Sequence, residues 1–210
     1  MKSSHKDSSE IWSQVANLYE EKFLNLNIYN ETYDLLCNEI KTSAPSILDI
    51  GCGPGNISKY ISIKIRDASI FGIDYSEKMI ELAKRNVPKS RFEVMDCRGI
   101  NQINEKFDAV ISGFFLPYVN LKEANEFFSN VHNLLKNNGV AYFSFVEGNP
   151  ENSDYQTSSS GQSLFFNFHL LEDIKQKLEK LGFKDFQILK INYERSETET
   201  EIHTIIITKK

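Results

Sequence analysis

Ser46-Ile47-Leu48-Asp49-Ile50-Gly51-Cys52-Gly53-Pro54-Gly55-Asn56-Ile57-Ser58 decides the fold of this chain. Residues able to form a buried strand run into three glycines, and a helix-like segment follows. A glycine turn at the end of a strand lets backbone come close to a ligand, because no Cβ stands in the way. The helix start beyond it presents free N–H groups that favour polar or anionic ligand atoms. The spacing is G-x-G-x-G. The dinucleotide fingerprint G-x-G-x-x-G would place its third glycine at position 56, where this chain has Asn56.

Outward from that turn, strand-like and helix-like segments alternate. β-rich runs occupy 46–50, 69–73, 91–95, 107–112 and 139–146, with helical stretches near 57–66, 77–86 and 121–136. Such alternation implies a mainly parallel sheet covered on both faces. Upstream, Ile11, Trp12, Val15, Leu18, Tyr19 and Phe23 recur at three- and four-residue intervals, the mark of an amphipathic helix over about 8–26. A second helix is expected over 29–42, so that 8–42 forms an N-terminal helical cap. Near the end the order changes. A helix over about 170–181 stops at Gly182, a C-terminal capping residue. Strands at 183–193 and 199–208 follow without a helix between them and predict an antiparallel hairpin. The stretch 147–168 is rich in Ser, Gly and Asn, includes Pro150 and shows little periodicity. Long loops of this kind are functional or disordered, and this one follows the fifth strand, on the side where open α/β sheets bind ligands. It is read as a substrate lid, within one domain spanning 1–210.

Composition narrows the function. A formal charge of −5 over 210 residues argues against a surface built to hold phosphate backbones, and no nucleic-acid partner is expected. No apolar run reaches the ~20 residues of a membrane span, and the first residues lack the apolar stretch of a signal peptide. Cys37, Cys52 and Cys97 are far apart, with no C-x-x-C pair, so neither a disulfide framework nor a metal site is expected. A reduced, cytoplasmic protein is the expectation.

With Asp49 two residues before the first glycine, the segment resembles motif I of the class I S-adenosylmethionine-dependent methyltransferases, of the small-molecule type. That resemblance implies an α/β fold: a three-layer αβα sandwich on a seven-stranded, mainly parallel sheet with an antiparallel C-terminal hairpin. It also implies S-adenosylmethionine as cofactor and roles for particular residues. Asp74, ending the second strand 19 residues after Gly55, would accept both ribose hydroxyls, as the acidic residue does in dinucleotide folds. Asp96, ending the third strand, would accept from the adenine amine, with the Cys97 N–H directed at the ring. Tyr75 and Met79 fit the flanks of the adenine slot. Asp49 and the Gly51 carbonyl would hold the methionine ammonium, while Cys52, Gly53 and Gly55 complete the turn. Ser112 and Gly113 match positions lining the cofactor, and Tyr19 would reach the site from the first helix. Each aspartate also suits ordinary cap and turn chemistry.

The acceptor side is less legible. Phe115, Tyr118, Tyr155 and His169 are the substrate candidates, with Tyr118 orienting an acceptor and His169, whose titration range suits a base, as the catalytic pair. Many members of the family carry His near Pro117-Tyr118, and this chain does not. The Asn/Asp-Pro-Pro-Tyr motif is missing, as is the acidic residue after the fourth strand that a Mg²⁺-dependent member needs. His5, His132 and His203 read as surface or structural. The expected function is methyl transfer to a small-molecule N or O acceptor by in-line displacement. The alternatives are a non-catalytic S-adenosylmethionine-binding or scaffold protein, an RNA or protein methyltransferase, and an oxidoreductase on a dinucleotide fold.

Overall fold

The computed structural model of the chain describes residues 4–157, 161, 163–196 and 198–210, with side chains from residue 9 onward, so that the expectation for His5 lies outside the described side chains. Helices α1 (Ser4–Phe23) and α2 (Asn30–Glu39) lead into β1 (Ser46–Ile50), and α3 (Asn56–Lys64), β2 (Ser69–Asp74), α4 (Glu77–Asn86) and β3 (Arg91–Val94) follow. Next come β4 (Phe107–Gly113), α5 (Leu121–Leu134) and β5 (Leu135–Glu147), then the short strands β6 (Asp154–Thr157) and β7 (Ser163–Phe166). The chain closes with α6 (Leu171–Lys180), β8 (Lys184–Glu194) and β9 (Thr200–Lys209).

Seven strands form one sheet in the order β3-β2-β1-β4-β5-β9-β8, parallel through β5 and antiparallel in its last two pairings. The seven-stranded α/β architecture implied by the sequence is therefore the one observed. Side chains explain the layers. Along β1, Ile47 packs with Leu36 of α2 and Ile61 of α3, whereas Leu48 and Ile50 pack with Phe128 of α5 and Ile174 of α6. Strands buried on both faces need apolar residues at nearly every position, and β1 and β4 have them.

Helix ends follow the local code. Asn120 caps α5 in a reciprocal capping box with Glu123. Gly182, at φ +98°, ends α6 as expected: Phe183 N–H donates to Leu178 O and Gly182 N–H to Glu179 O, the paired bonds of a Schellman turn.

Two expectations need correction. Helix α5 ends at Leu134, and β5 starts four residues earlier than the pattern suggested, with Leu135 pairing to Phe107 and Asn138 in a left-handed turn. The stretch 147–168 also holds regular structure, since β6 and β7 form an antiparallel pair from Asp154↔Phe166 to Thr157↔Ser163. Its signal is a cross-strand contact rather than a local period, with the rings of Tyr155 and Phe165 meeting edge to face at 5.3 Å. Residues 158–160 and 162 of that stretch lie outside the described residues. Asn167 anchors its far end, donating through N–H and Nδ2 to the Pro117 carbonyl.

Candidate active site

The glycine turn is held against the tip of β2. Gly51 and Cys52 N–H both donate to Ile73 O at 2.8 and 3.0 Å, and Gly53 N–H donates to Asp74 Oδ2 at 2.9 Å. Gly55, at φ +84°, faces away from the cavities. A Cβ there would stand 3.3 Å from the Ala83 Cα of α4, so this glycine lets α3 start where α4 passes.

Two adjoining cavities open over the carboxyl ends of the parallel strands, one of about 590 Å³ and one of about 230 Å³. Tyr19, Gly51, Gly53, Gly113, Phe114 and Tyr118 border both. The larger also takes in Asp74, Tyr75, Met79, Asp96, Cys97 and Phe115, with Tyr155 and Phe165 of the β6–β7 hairpin at its rim. The smaller takes in Asp49 and Cys52 and reaches to β9.

Asp49 is the most telling side chain. It is 1 % exposed; Oδ2 accepts from Ser58 Oγ at 2.6 Å, and Oδ1 is buried with no hydrogen-bond partner. Burial pushes this carboxyl up to about 6, against the Ser58 bond and with the nearby Asp74 adding to the rise. A buried acceptor without a donor is costly and rare. A cationic donor entering the cavity would satisfy it. The ammonium of S-adenosylmethionine has that chemistry, so the donor set fits this cofactor.

Asp74 is likewise raised by burial, against hydrogen bonds from Ser76, Gly53 and Tyr75 backbone. Its oxygens accept from Gly53 N–H and from Ser76 N–H at 2.9 Å, which fixes the carboxylate while leaving second lone pairs for a ligand. Asp96 is more committed. It caps a short 3-10 turn by accepting from Arg98 N–H at 3.0 Å and also pairs with the Arg98 guanidinium. Burial raises its carboxyl, and the Arg98 bonds more than reverse this, leaving it below the usual range.

Helix α1 roofs the cavities. Ser9 Oγ donates to Tyr75 O at 3.1 Å, Ser13 Oγ meets Ser76 Oγ at 2.8 Å, and Glu20 accepts from Arg85 and Asn86 of α4. Trp12 sets its ring edge to face with those of Tyr19 and Tyr118. Burial raises the Tyr19 and Tyr118 hydroxyls, so both are donors at neutral pH.

Three of the sequence candidates fall outside both cavities. Gly55 serves the turn. Ser112 is fully buried, with Oγ unpartnered, on the strand face opposite Ile111 and Gly113; strand alternation, ignored by the positional match, decides this. His169 is buried and Nε2 bonds the Leu116 carbonyl at 3.0 Å, while Gly148 N–H bonds its own carbonyl. It braces the end of β5 against the 116–118 turn and has no path to a substrate, which removes it as base and as substrate contact.

Sequence reading also missed residues. His203, read as structural or surface, is 5 % exposed and borders the smaller cavity with Tyr29, Tyr193 and Glu201. Its available signal was the i, i+2 pair Glu201/His203, which shares one face of a strand. Phe114, at φ +53°, is a strained residue at the cavities' junction.

Comparison with known proteins agrees with this geometry. A family described as "Methyltransferase domain" matches residues 47–139. A putative methyltransferase of Invertebrate iridescent virus 6 is 40% identical over 100 residues, 48% of this chain and 37% of that protein. The putative methyltransferase YqeM of Bacillus subtilis is 33% identical over 141 residues, 63% of this chain and 54% of that protein. The matches thus span less than two thirds of these relatives' length. Other relatives include a trans-aconitate 2-methyltransferase of Variovorax paradoxus, 35% identical over 30% of this chain and 24% of that protein. Among solved structures, a DhpI complex with SAH superposes with TM-score 0.69 at 17% identity, covering 96% of this chain and 95% of that one. The [4+2]-cyclase SpnF superposes with TM-score 0.75 at 14% identity, over 99% and 96%. Residues 47–139 thus match a methyltransferase domain, and the fold of the whole chain is that of solved structures that include S-adenosylmethionine-dependent methyltransferases.

Proposed function

We propose that this protein transfers a methyl group from S-adenosylmethionine to a small-molecule N or O acceptor by in-line displacement. One observation carries the reading: Asp49 presents an unpartnered buried oxygen at the smaller cavity, which shares Gly51, Gly53 and Gly113 with the larger one. The sulfonium, when bound, supplies an already activated methyl group. The residues of this chain bind, orient and exclude water. Asp49 would hold the ammonium, Asp74 the ribose and Asp96 with the Cys97 N–H the adenine, with Tyr75 and Met79 flanking the ring. Gly113 lets Ile57 of α3 pack against the end of β4, since a Cβ there would stand 2.5 Å from Ile57 Cδ1. Alignment of acceptor, methyl and sulfur supplies most of the acceleration in such a displacement, and the α1 roof and β6–β7 rim exclude water.

The name of the trans-aconitate relative favours a small acceptor. No helix among the described residues is long and apolar enough to cross a membrane. A second reading keeps the fold and drops the methylation, because a [4+2]-cyclase shares this architecture. Calorimetric titration with S-adenosylhomocysteine tests the cofactor assignment. A screen of metabolite extracts for its release from S-adenosylmethionine, with the product identified by mass, tests turnover. Binding without any turnover would favour the second reading.

A further inference from the structure

We propose that the smaller cavity takes the acceptor beside the methionine end of the methyl donor, and that Tyr29, His203 and Glu201 form a proton relay there for a flat phenolic hydroxyl, which still holds its proton at neutral pH. The inference rests on the methyltransferase reading and specifies its acceptor. Tyr29 Oη lies 2.7 Å from His203 Nδ1, and His203 Nε2 lies 3.2 Å from Glu201 Oε2. All three border the smaller cavity.

The proton positions follow from the ends of the chain. The His203 bond, with Arg195 assisting, holds the Glu201 carboxyl below its usual range, so Glu201 is ionised and can only accept. His203 Nε2 must therefore carry a hydrogen, leaving Nδ1 as the acceptor for the Tyr29 hydroxyl. Tyr29 then keeps an oxygen lone pair for a further donor, and an acceptor hydroxyl in the cavity would be that donor. Burial raises the Tyr29 hydroxyl, so the phenol does not ionise alone and can act only by passing its proton to His203.

The step balances. The acceptor oxygen forms a bond to the methyl carbon as the carbon–sulfur bond breaks, its electron pair remaining on sulfur. The acceptor proton moves to Tyr29 Oη while the Tyr29 proton moves to His203 Nδ1. The imidazolium so formed is paired with Glu201 and later releases its proton to solvent. Tyr29 touches the acceptor; His203 and Glu201 act through it as positioning residues.

The surroundings are built for this imidazole. Tyr193 stacks on it at 4.7 Å and 13°, and the strained Phe114 meets it at 4.7 Å. The other titratable or charged groups around it are Arg195, paired with Glu201, and Lys22, which sits over the Tyr193 ring; β5 contributes the apolar Val146 to this face. Aromatic walls suit a flat guest. A carboxylate acceptor is already deprotonated and has no use for such a relay.

Para-nitrophenol, coloured only as the phenolate, is the probe. It is added to the S-adenosylhomocysteine complex at a pH where the free dye is mostly protonated. The expected result is saturable binding with growth of the phenolate band. Tyr29→Phe and His203→Gln should each lower the bound-phenolate ratio roughly tenfold or more, the effect of one pKa unit, read for each variant at saturating S-adenosylhomocysteine. Absence of dye binding, or a wild-type spectrum in both variants, would overturn the relay. Tyr29→Phe, which keeps the ring packing, serves if His203→Gln proves unstable. Failure of S-adenosylhomocysteine itself to bind is read before the dye is added and would instead remove the methyltransferase reading.

Discussion

Replacing Asp49 with Asn should strengthen the fold and weaken the site. The carboxyl rises from an ordinary 3.8 to about 6 on folding. Between those values the folded state holds more protons than the unfolded one, so stability falls as pH rises through this window. Above it the deficit is full, and roughly two pH units correspond to about 3 kcal/mol. The Asp49→Asn change would remove that deficit. The new amide N–H₂ would stand where Oδ1 now lacks a partner, at a cost of about 1–3 kcal/mol. The net expectation at pH 8 is stability unchanged or raised by up to about 2 kcal/mol. For a chain of this size that is a Tm gain of up to roughly 6 °C. Near pH 4 the carboxyl is neutral in the folded state and about half ionised in the unfolded one, so most of the deficit, and with it the gain, is gone.

Ligand binding should move the other way. An ammonium hydrogen-bonded to the Asp49 carboxylate contributes about 1.5–3 kcal/mol, so the Asp49→Asn variant should bind S-adenosylhomocysteine roughly 10- to 150-fold more weakly. In the wild type the bound cation favours ionised Asp49, so binding near pH 6 should release a proton and tighten as pH rises. Scanning calorimetry at pH 8 and pH 4 measures the first effect. Isothermal titration in buffers of different ionisation enthalpy measures the second. Equal affinity of variant and wild type, with no proton released, would refute the assignment of the unpartnered oxygen to the ligand.

Asp74→Ala should weaken S-adenosylhomocysteine binding by about 1–3 kcal/mol, read by the same titration, since a hydrogen-bonding charged acceptor is lost. Gly55→Ala should lower stability by about 1–2 kcal/mol for the left-handed backbone alone, with more from the 3.3 Å approach to Ala83, seen as a lower urea midpoint. Asn120→Ala should cost about 1 kcal/mol by removing the side chain of the α5 capping box, seen as a lower urea midpoint.

What was legible in the sequence is what local spacing encodes. The β1 turn, Asp74 at the end of β2, the Gly182 cap and the final hairpin each carry their signal within a few residues, and the structure has all of them, whereas Asp96 stands two residues past the end of β3 and caps the turn that follows. Tyr19 was found because a helical stripe has a direction. The misses share a different cause. Ser112 was placed by position in a motif, while strand alternation turns it to the other face. His169 looked available because it ends a polar stretch, yet its ring is spent on Leu116, 53 residues away. His203 was overlooked because its partner Tyr29 is 174 residues distant, and no period in the sequence reports that separation.

The departures from ordinary folding rules are also informative by where they fall. Of the three non-glycine residues with left-handed backbone among the described residues, Asn138 and Asp185 lie at turns or bulges in strand pairings, where such geometry is common. Phe114 does not; it follows β4, touches both cavities and packs its ring on Tyr29 and His203. The same region holds the unpartnered Asp49 oxygen, and a second raised carboxyl, Asp74, stands beside it. A sequence selected for stability alone would remove each of these with one substitution. Local conflicts that persist together around one cavity mark the place where a ligand supplies the missing interactions. On that argument, relieving the Asp49 conflict should leave a protein that folds at least as well and binds the methyl donor poorly, whereas a passive scaffold would gain stability and lose nothing.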